Sequence, residues 1–465
     1  MDATRIAESL VAMQARSLLV IGDVMLDRYI DGRVTRMSPE APVPVLEKSA
    51  ESDMPGGAAN VACNLAALGC DVRLLAVTGD DAAGDRLASL LGSNLAIDFA
   101  RICDPDRPTT RKTRFRSDGQ QVLRVDEELT ASVSDDVQAR LLDSVKSQLA
   151  TVNAVILSDY AKGGLPVSLM QQIIAAANDA GIPVIADPKQ SDFGSYAGAS
   201  LLTPNLAELR AATGLVDDDL EAIANATSTL AATHSIDAIL ATLSARGMLL
   251  SDAAGDWQHA PAEAREVFDV SGAGDTVVAM LAACVAAGIA HQDALPLANL
   301  AAGVVVGKSG TAVASPGEII SAGMPGAIST SWADAADACE TWRKSGQSVG
   351  FTNGCFDMLH PGHLHLLASA ADAADRLVVG INSDASVRRL KGDGRPVQSA
   401  EIRAAALAQL PFVGAVAIFD EDTPLELITA LQPDRVFKGG DYRAEDDRTR
   451  IQPESLRSVS ADRSH

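Results

Sequence analysis

The chain has 465 residues, 47% of them apolar, so it can bury sizeable cores and is long enough for two large or about three typical domains. Its net charge of −23 argues against a nucleic-acid or anionic-membrane surface, but not against phosphate ligands, which local amides and a few basic side chains can hold. No apolar run reaches the ~20 residues of a membrane span, Met1-Asp2-Ala3-Thr4-Arg5 lacks the pattern of a secretory signal, and the six cysteines (Cys63, Cys70, Cys103, Cys284, Cys339, Cys355) form no Cys-x-x-Cys pair, so a cytoplasmic chain with reduced thiols is expected.

The first element is Ser-Leu-Leu-Val-Ile-Gly at 17–22, a short apolar run that ends in Gly22-Asp23. Similar runs recur at 72–77, 154–158, 182–186, 200–203 and 237–242, with helical patterns between them at 58–68, 134–149 and 167–180. Buried strands alternating with helices predict a doubly wound α/β domain with a mainly parallel sheet. Ligands of such sheets gather at the carboxyl ends of the strands. Asp23, Asp159, Asp187 and Asn205 each follow a run closely, which places four polar side chains at one rim. Residues 30–47 and 109–125 are polar and β-prone, and predict a small flap over that rim. A small-residue run from Thr276 to Ala287 predicts a helix. Residues 321–335, rich in Gly, Ser, Ala and Pro, read as a linker. A second βα pattern then begins: a strand from Ser348 to Thr352, a helix from about Gly362, and a strand from Arg376 to Ile381.

The densest chemistry lies in Asp269-Val270-Ser271-Gly272-Ala273-Gly274-Asp275-Thr276. Gly272, Ala273 and Gly274 stand at a helix N-terminus, where free amides and the dipole favour an anion. Asp275 beside that anion hole supplies what phosphoryl transfer to an alcohol needs, a base for the hydroxyl proton next to donors for the moving charge. A plain glycine turn with a capping aspartate is the bland alternative. Pro55-Gly56-Gly57-Ala58-Ala59-Asn60 offers glycines for close backbone approach and an amide for sugar hydroxyls, or a glycine cap on a packed helix. Asp23 and Asp27 suit sugar hydroxyls, or turn and cap chemistry. Asn205 and Glu208, three apart, suit either the water shell of Mg2+ or a capping box. Arg111, Lys112, Arg114 and Arg116 form a basic stretch in the flap: Lys112, Arg114 and Arg116 share one face and Arg111 lies on the other. Arg111 and Lys112 are taken as the seat of a sugar phosphate, against a charged edge strand that resists aggregation. Lys189 is a further cation near the rim.

These motifs resemble the ribokinase family of sugar kinases over residues 1–318, with the glycine pair at 55–62 as its first signature and 269–276 as its second. Arg36-Met37-Ser38-Pro39-Glu40-Ala41-Pro42-Val43-Pro44-Val45 resembles more narrowly the flap of heptose 7-phosphate kinases, the first half of the bifunctional enzymes of ADP-heptose synthesis. The resemblance assigns Thr203-Pro204-Asn205-Leu206-Ala207-Glu208 to ATP and Mg2+, with no direct protein ligand to the metal, and sets Gly247, Asn299 and the Lys308-Ser309-Gly310 turn around adenine. It also allows a monovalent cation and implies a homodimer joined through the flap.

Phe351-Thr352-Asn353-Gly354-Cys355-Phe356-Asp357-Met358-Leu359-His360-Pro361-Gly362-His363 follows a strand and opens a helix. It resembles the signature of cytidylyltransferase-like nucleotidyl transferases, with Asn353, Gly354, Phe356, His360, Gly362 and His363 at the nucleotide. Transfer of a nucleotidyl group to a sugar phosphate needs position and positive charge rather than an enzyme nucleophile. A zinc site of His360, His363 and His365 competes, but no cysteine or carboxylate completes a regular spacing. Asn382-Ser383-Asp384, Lys391, Arg395, Glu401, Arg403 and Lys438-Gly439-Gly440-Asp441-Tyr442 continue the resemblance, with Lys391, Arg395, Lys438 and Asp441 as nucleotide contacts. The pattern then gives way to a charged stretch at 443–465, read as a disordered tail in place of a last strand and a Ser/Thr-rich phosphate contact.

The implied architecture is a ribokinase-like doubly wound α/β sheet with a small β flap (1–318), a linker (319–345) and a smaller, C-terminally incomplete Rossmann-like nucleotidyltransferase α/β domain (346–442). The implied activities are O1 phosphorylation of a heptose 7-phosphate by MgATP and adenylyl transfer to heptose 1-phosphate, the second weakened by the tail. Its partners would be ATP and heptose phosphates, with no nucleic acid and no membrane. Two alternatives stand beside it. One is another phosphosugar or nucleoside kinase fused to a different nucleotidyltransferase-like domain; the other is an idle nucleotide-binding sensor.

Overall fold

The computed structural model describes residues 3–217, 219–262, 272–308, 310–323, 328–330, 332–357, 359–392, 394–408, 410 and 412–438. Asp269, Val270, Ser271, Ser309, Gly439, Gly440, Asp441, Tyr442 and the 443–465 tail lie outside the described residues. The chain divides into two compact units, Met1–Ile320 and Ser321–His465.

The strands of the first unit are β1 (Ser17–Gly22), β2 (Val24–Met37), β3 (Pro44–Gly57), β4 (Asp71–Thr78), β5 (Ile97–Cys103), β6 (Arg111–Ser117), β7 (Gln120–Glu127), β8 (Ala154–Ser158), β9 (Val184–Asp187), β10 (Leu201–Leu202), β11 (Ala238–Thr242), β12 (Met248–Asp252) and β13 (Trp257–Ala260). Nine of them form one sheet in the order β13-β12-β11-β10-β9-β8-β1-β4-β5, parallel from β11 to β5, with β12 and β13 added antiparallel. The central strands are short apolar runs because both faces are covered: Leu19, Val20, Val155, Ile156 and Ile185 have no exposed surface. The neighbouring order β10-β9-β8-β1 sets Asn205, Asp187, Asp159 and Asp23 along one carboxyl rim, as the sequence pattern predicts.

The flap is a separate four-stranded sheet, β3-β2-β6-β7, with β2 parallel to β6 and antiparallel to β3. Its strands run longer than the polar stretches that signalled it, since β2 starts two residues after β1 ends and β3 runs into Gly57 at the start of the helix Ala58–Ala67. The flap is therefore rooted directly in the site.

The second unit holds β14 (Ile328–Thr330), β15 (Val349–Gly354), β16 (Arg376–Asn382), β17 (Ala415–Phe419) and β18 (Arg435–Phe437), all parallel in the order β14-β17-β16-β15-β18. Phe351 and Phe419 lie in the core on one face, Leu377, Leu407 and Phe437 in that on the other. The linker reading of 319–345 is corrected here. Within it, β14 pairs with β17, and the helix Trp332–Lys344 packs Ala335, Cys339 and Trp342 into the core. The indole N–H of Trp332 donates to the carbonyl of Ile418 at 2.8 Å. Small-residue composition hid an apolar stripe with helical spacing.

Candidate active sites

The helix Ala273–Ala286 starts where Gly272 adopts a left-handed backbone, φ +80°. A side chain there would also meet the Asn60 amide at 2.9 Å, so glycine is required twice over. The first bond of the helix runs from the Thr276 N–H to the Gly272 carbonyl. The amides of residues 273–275 consequently have no partner within the helix, and Gly274 faces open space. Asp275 follows immediately and is only 8% exposed. Its Oδ2 accepts from Asn60 Nδ2 at 2.6 Å, and its Oδ1 accepts from the Tyr160 hydroxyl. Burial pushes its carboxyl up to about 6; the Tyr160 and Asn60 bonds pull against that, and the Asp27 charge adds to it. A carboxylate of that strength is still ionised at neutral pH and more basic than a free one, as a hydroxyl-activating base must be.

Asn60, expected to bind sugar, belongs to a buried polar ladder. It donates to Asp275, while Asn64 Nδ2 donates to the Asn60 carbonyl at 2.9 Å and the Thr276 hydroxyl donates to Asn64 Oδ1 at 2.9 Å. Asp23 is also held within the protein. Its carboxylate accepts the backbone N–H groups of Tyr160 (3.0 Å), Lys162 (2.9 Å) and Gly164 (3.0 Å), and burial raises its pKa. It holds a loop. Asp27 is buried and pairs with Arg114 at 2.5 Å. A Cβ on Gly56 would meet Asp27 Oδ2 at 2.3 Å, and one on Gly57 (φ +61°) would meet the Asp23 carbonyl at 2.4 Å. Close packing of the protein on itself requires glycine at both positions.

The flap cations are all paired. Arg111 bonds Glu127, Lys112 lies 3.1 Å from Asp126 and 3.4 Å from Glu128, and Arg116 lies 2.8 Å from Asp31. It is Arg114, not Arg111, that reaches a buried carboxylate of the site. Asn205 and Glu208 form a complete capping box at the start of the helix Leu206–Thr213, each side chain 2.9 Å from the other's N–H. Glu208 Oε1 also meets Lys189 at 2.6 Å; Leu206 packs on the core and Ala207 is exposed. Near them Asp187 is held well above the usual carboxylate range by burial and then by the charges of Asp275 and Glu208. Gly247 (φ +87°) and Asn299 meet at one place: a Cβ on Gly247 would lie 2.0 Å from the Ala260 carbonyl, and Asn299 Nδ2 donates to the Pro261 carbonyl at 2.9 Å. Lys308 pairs with Glu318 at 2.6 Å, and Gly310 packs against Met54 of the flap.

In the second unit the order β16-β15-β18 puts Asn382, Asn353 and Lys438 at one carboxyl rim. His360 caps the helix Pro361–Ala371, its ring accepting from the His363 N–H at 3.4 Å. The two imidazoles stack at 3.7 Å, and Gly362 leaves room, since a Cβ there would lie 3.1 Å from the His360 ring. Among the described residues no group of three or more His, Cys, Asp or Glu side chains is placed to hold a metal ion. The Phe356 side chain, assigned to nucleotide, is 4% exposed and belongs to the core beside Leu367 and Leu377, with its ring 5.0 Å from that of His363. A Cβ on Gly354 would meet that ring at 3.1 Å. Lys391 is exposed at the end of the helix Asp384–Lys391. Arg395 pairs with Asp357 at 2.6 Å; burial would raise the Asp357 pKa, but Arg395 and the amides of Gln398 and Val397 hold it below the ordinary value. Arg403 is fully buried and joins three segments: it donates to the carbonyls of Cys355 (2.6 Å) and Gln398 (3.0 Å) and to Asp384 (2.7 Å).

Two family models match the chain, pfkB family carbohydrate kinase over residues 15–317 and cytidylyltransferase-like over residues 351–455. The bifunctional protein HldE of Rhodospirillum rubrum is 49% identical over 449 residues, which cover 95% of this chain and 90% of that protein. The bifunctional protein HldE of Caulobacter vibrioides is 48% identical over 441 residues, 93% of this chain and 91% of that one. The chain belongs to the HldE family of bifunctional proteins. Among solved structures, Arabidopsis thaliana ribokinase complexed with ribose and ATP aligns at 24% identity and a TM-score of 0.54, over 67% of this chain and 99% of that one. Phosphofructokinase-2 from Escherichia coli in complex with substrates and products aligns at 20% identity and 0.56, over 66% and 97%; both are likenesses of fold.

Membership of the family agrees with the resemblance carried by the glycine motifs and the flap. The cytidylyltransferase-like match also runs to residue 455, past the boundary at 442 drawn from the loss of apolar pattern. Sequence reasoning did not find Tyr160, whose hydroxyl donates to Asp275. Its one signal is position, directly after Asp159 at the end of β8.

Proposed function

We propose that this chain catalyses two steps toward ADP-heptose for lipopolysaccharide core synthesis. The first unit transfers the γ-phosphoryl group of ATP to O1 of D-glycero-β-D-manno-heptose 7-phosphate, and the second joins AMP from ATP to heptose 1-phosphate, releasing pyrophosphate. A separate phosphatase acts between them, because the 7-phosphate has to leave. The observation that carries the kinase reading is a buried, doubly hydrogen-bonded Asp275 at a helix start whose first amides lack helical partners. Asp275 takes the O1 proton as O1 attacks the γ-phosphorus and ADP leaves, and the amides of Ala273 and Gly274 stabilise charge on the moving phosphoryl group.

Burial and then the charges of Asp275 and Glu208 disfavour an ionised Asp187, which suits a divalent cation held nearby through its water. Bound Mg2+ would neutralise ATP phosphate charge there; the side chains orient it and leave the proton to Asp275. Lys112, with Lys162 close by through the shared Glu128, is the candidate seat for the sugar's own phosphate. Homodimerisation through the flap is supported by β7, whose residues are all exposed, Leu123 among them at 55%. In the second unit the cations Lys391, Arg395 and Lys438 supply the positive charge that the ATP phosphates require, and the His360–His363 pair supplies ring N–H donors beside them.

The deciding experiment incubates the protein with heptose 7-phosphate and ATP, and separately with heptose 1-phosphate and ATP, and resolves the products. A 1,7-bisphosphate in the first and an ADP-sugar with pyrophosphate in the second are expected. Phosphorylation of a free hexose or a nucleoside in preference to the heptose phosphate would overturn the substrate assignment.

A further inference from the structure

The segment Asp159-Tyr160-Ala161-Lys162-Gly163-Gly164 follows β8 and has an unusual backbone, with positive φ at Ala161 (+52°) and Gly163 (+80°). Gly163 has no alternative, since a Cβ would lie 2.0 Å from the Ala131 carbonyl. A non-glycine residue in the left-handed region needs surroundings that hold it there. Three amides of the segment end on Asp23, the Ala161 N–H ends on Asp159 at 2.7 Å, and the Lys162 carbonyl accepts from Arg107 at 2.7 Å. What this elaborate fixing delivers is one side chain, the Tyr160 phenol, onto Asp275 Oδ1. Burial, then the adjacent Asp275 charge, keeps that phenol protonated, so it is the donor and the carboxylate the acceptor.

We propose that Tyr160 is a positioning residue of the kinase site, whose phenol fixes the base Asp275 for the sugar hydroxyl, and that Asp23 serves the reaction by holding the Tyr160 loop. The inference rests on the kinase reading. With Tyr160 on Oδ1 and Asn60 on Oδ2, the carboxylate cannot rotate, and its remaining lone pairs keep one direction. A hydrogen bond to the charged form also favours that form. The other groups that bear on Asp275 are Asp27 from β2 and Asp187 from β9, both acidic, and the neutral Asn60 and Asn64 of the helix Ala58–Ala67. From the helix His291–Val306, Asp293 acts on Cys284, nine residues along from Asp275. From β1 and β8 no charged side chain precedes Asp23 and Asp159, which the loop occupies. Tyr160 is therefore the donor whose loss moves the base in a defined direction: its carboxyl becomes a weaker acid.

The test is Tyr160→Phe in the full chain, with initial rates of sugar bisphosphate formation measured from pH 5 to pH 9. The acid limb should move up by about one pH unit, which is a loss of about fivefold at pH 6 that largely recovers by pH 8.5, with KM for ATP changed less than about twofold. Asp23→Asn, which leaves the phenol in place but loosens its loop, should move the limb the same way by less. A limb that stays at the wild-type pH in Tyr160→Phe, whatever the loss of rate, overturns the role of Tyr160. An Asp23→Asn effect confined to KM for the sugar makes Asp23 a substrate ligand and overturns the second half. Wild-type protein that forms no bisphosphate removes the kinase reading itself; wild-type activity with an unmoved limb removes only this inference.

Discussion

Asp275 combines three conditions that seldom coincide by chance: burial, two hydrogen-bond donors, and a place at the opening turn of a helix. Asp275→Asn keeps the shape and removes the basic oxygen. It should lower kinase turnover by at least ~10² while the thermal transition stays within a few degrees. Turnover within a few-fold of wild type would show that another group takes the proton. The same carboxylate sets the pH dependence. It must be ionised to act, and burial raises its pKa to about 6, so wild-type kcat/KM should be flat above neutrality and fall tenfold per unit as pH drops below about 6. At this scale the sequence was legible for residue types and silent on their partners within the fold. An amide such as that of Asn60 can serve a sugar or a neighbouring side chain, and only the fold shows that its Nδ2 faces Asp275, 215 residues away. Tyr160 was silent for the same reason, its partner being 115 residues distant.

Strands were read well wherever apolar runs were flanked by glycine or aspartate; their order is supplied by the fold, and the rim of Asp23, Asp159, Asp187 and Asn205 follows from parallel strands that all end on one side. The segment 321–335 failed because alanine serves both linkers and helices; the decisive signal was the spacing of Ala335, Cys339 and Trp342. In the second unit, the element that orders the nucleotide rim is the helix Ala400–Ala408, through Arg403. Its guanidinium ties the segment after β15, the start of the helix Asp384–Lys391 and the loop at 395–398. Arg403→Met fills the volume but strands two carbonyls and a carboxylate. It should cost about 2–4 kcal/mol and lower the unfolding transition of the second unit by about 10 °C. Adenylyl transfer should fall with it, since His360 and Arg395 lose a shared support, while kinase turnover stays unchanged. A transition within two degrees of wild type, read by calorimetry of the full chain, would mean that water replaces the guanidinium at no cost.

For the whole molecule, the chain reads as two catalysts for two steps on one sugar skeleton. Each unit has its own sheet and its own core, with the division between residues 320 and 321. The helix Pro316–Gly323 carries Ile319, which is fully buried, and Glu318, which pairs with Lys308 of the first unit. A cut at 320 would therefore divide a helix that the first unit uses, and a cut after Gly323 would not. A fragment of residues 1–323 should fold and keep kinase turnover within about threefold of the full chain, because Asp275, Asn60, Tyr160 and the flap all precede the cut. It should form no ADP-sugar. Circular dichroism and bisphosphate formation from heptose 7-phosphate test this directly. Insolubility of the fragment, or kinase activity that returns only when residues 324–465 are restored, would show that the first unit depends on the second for its fold or its chemistry.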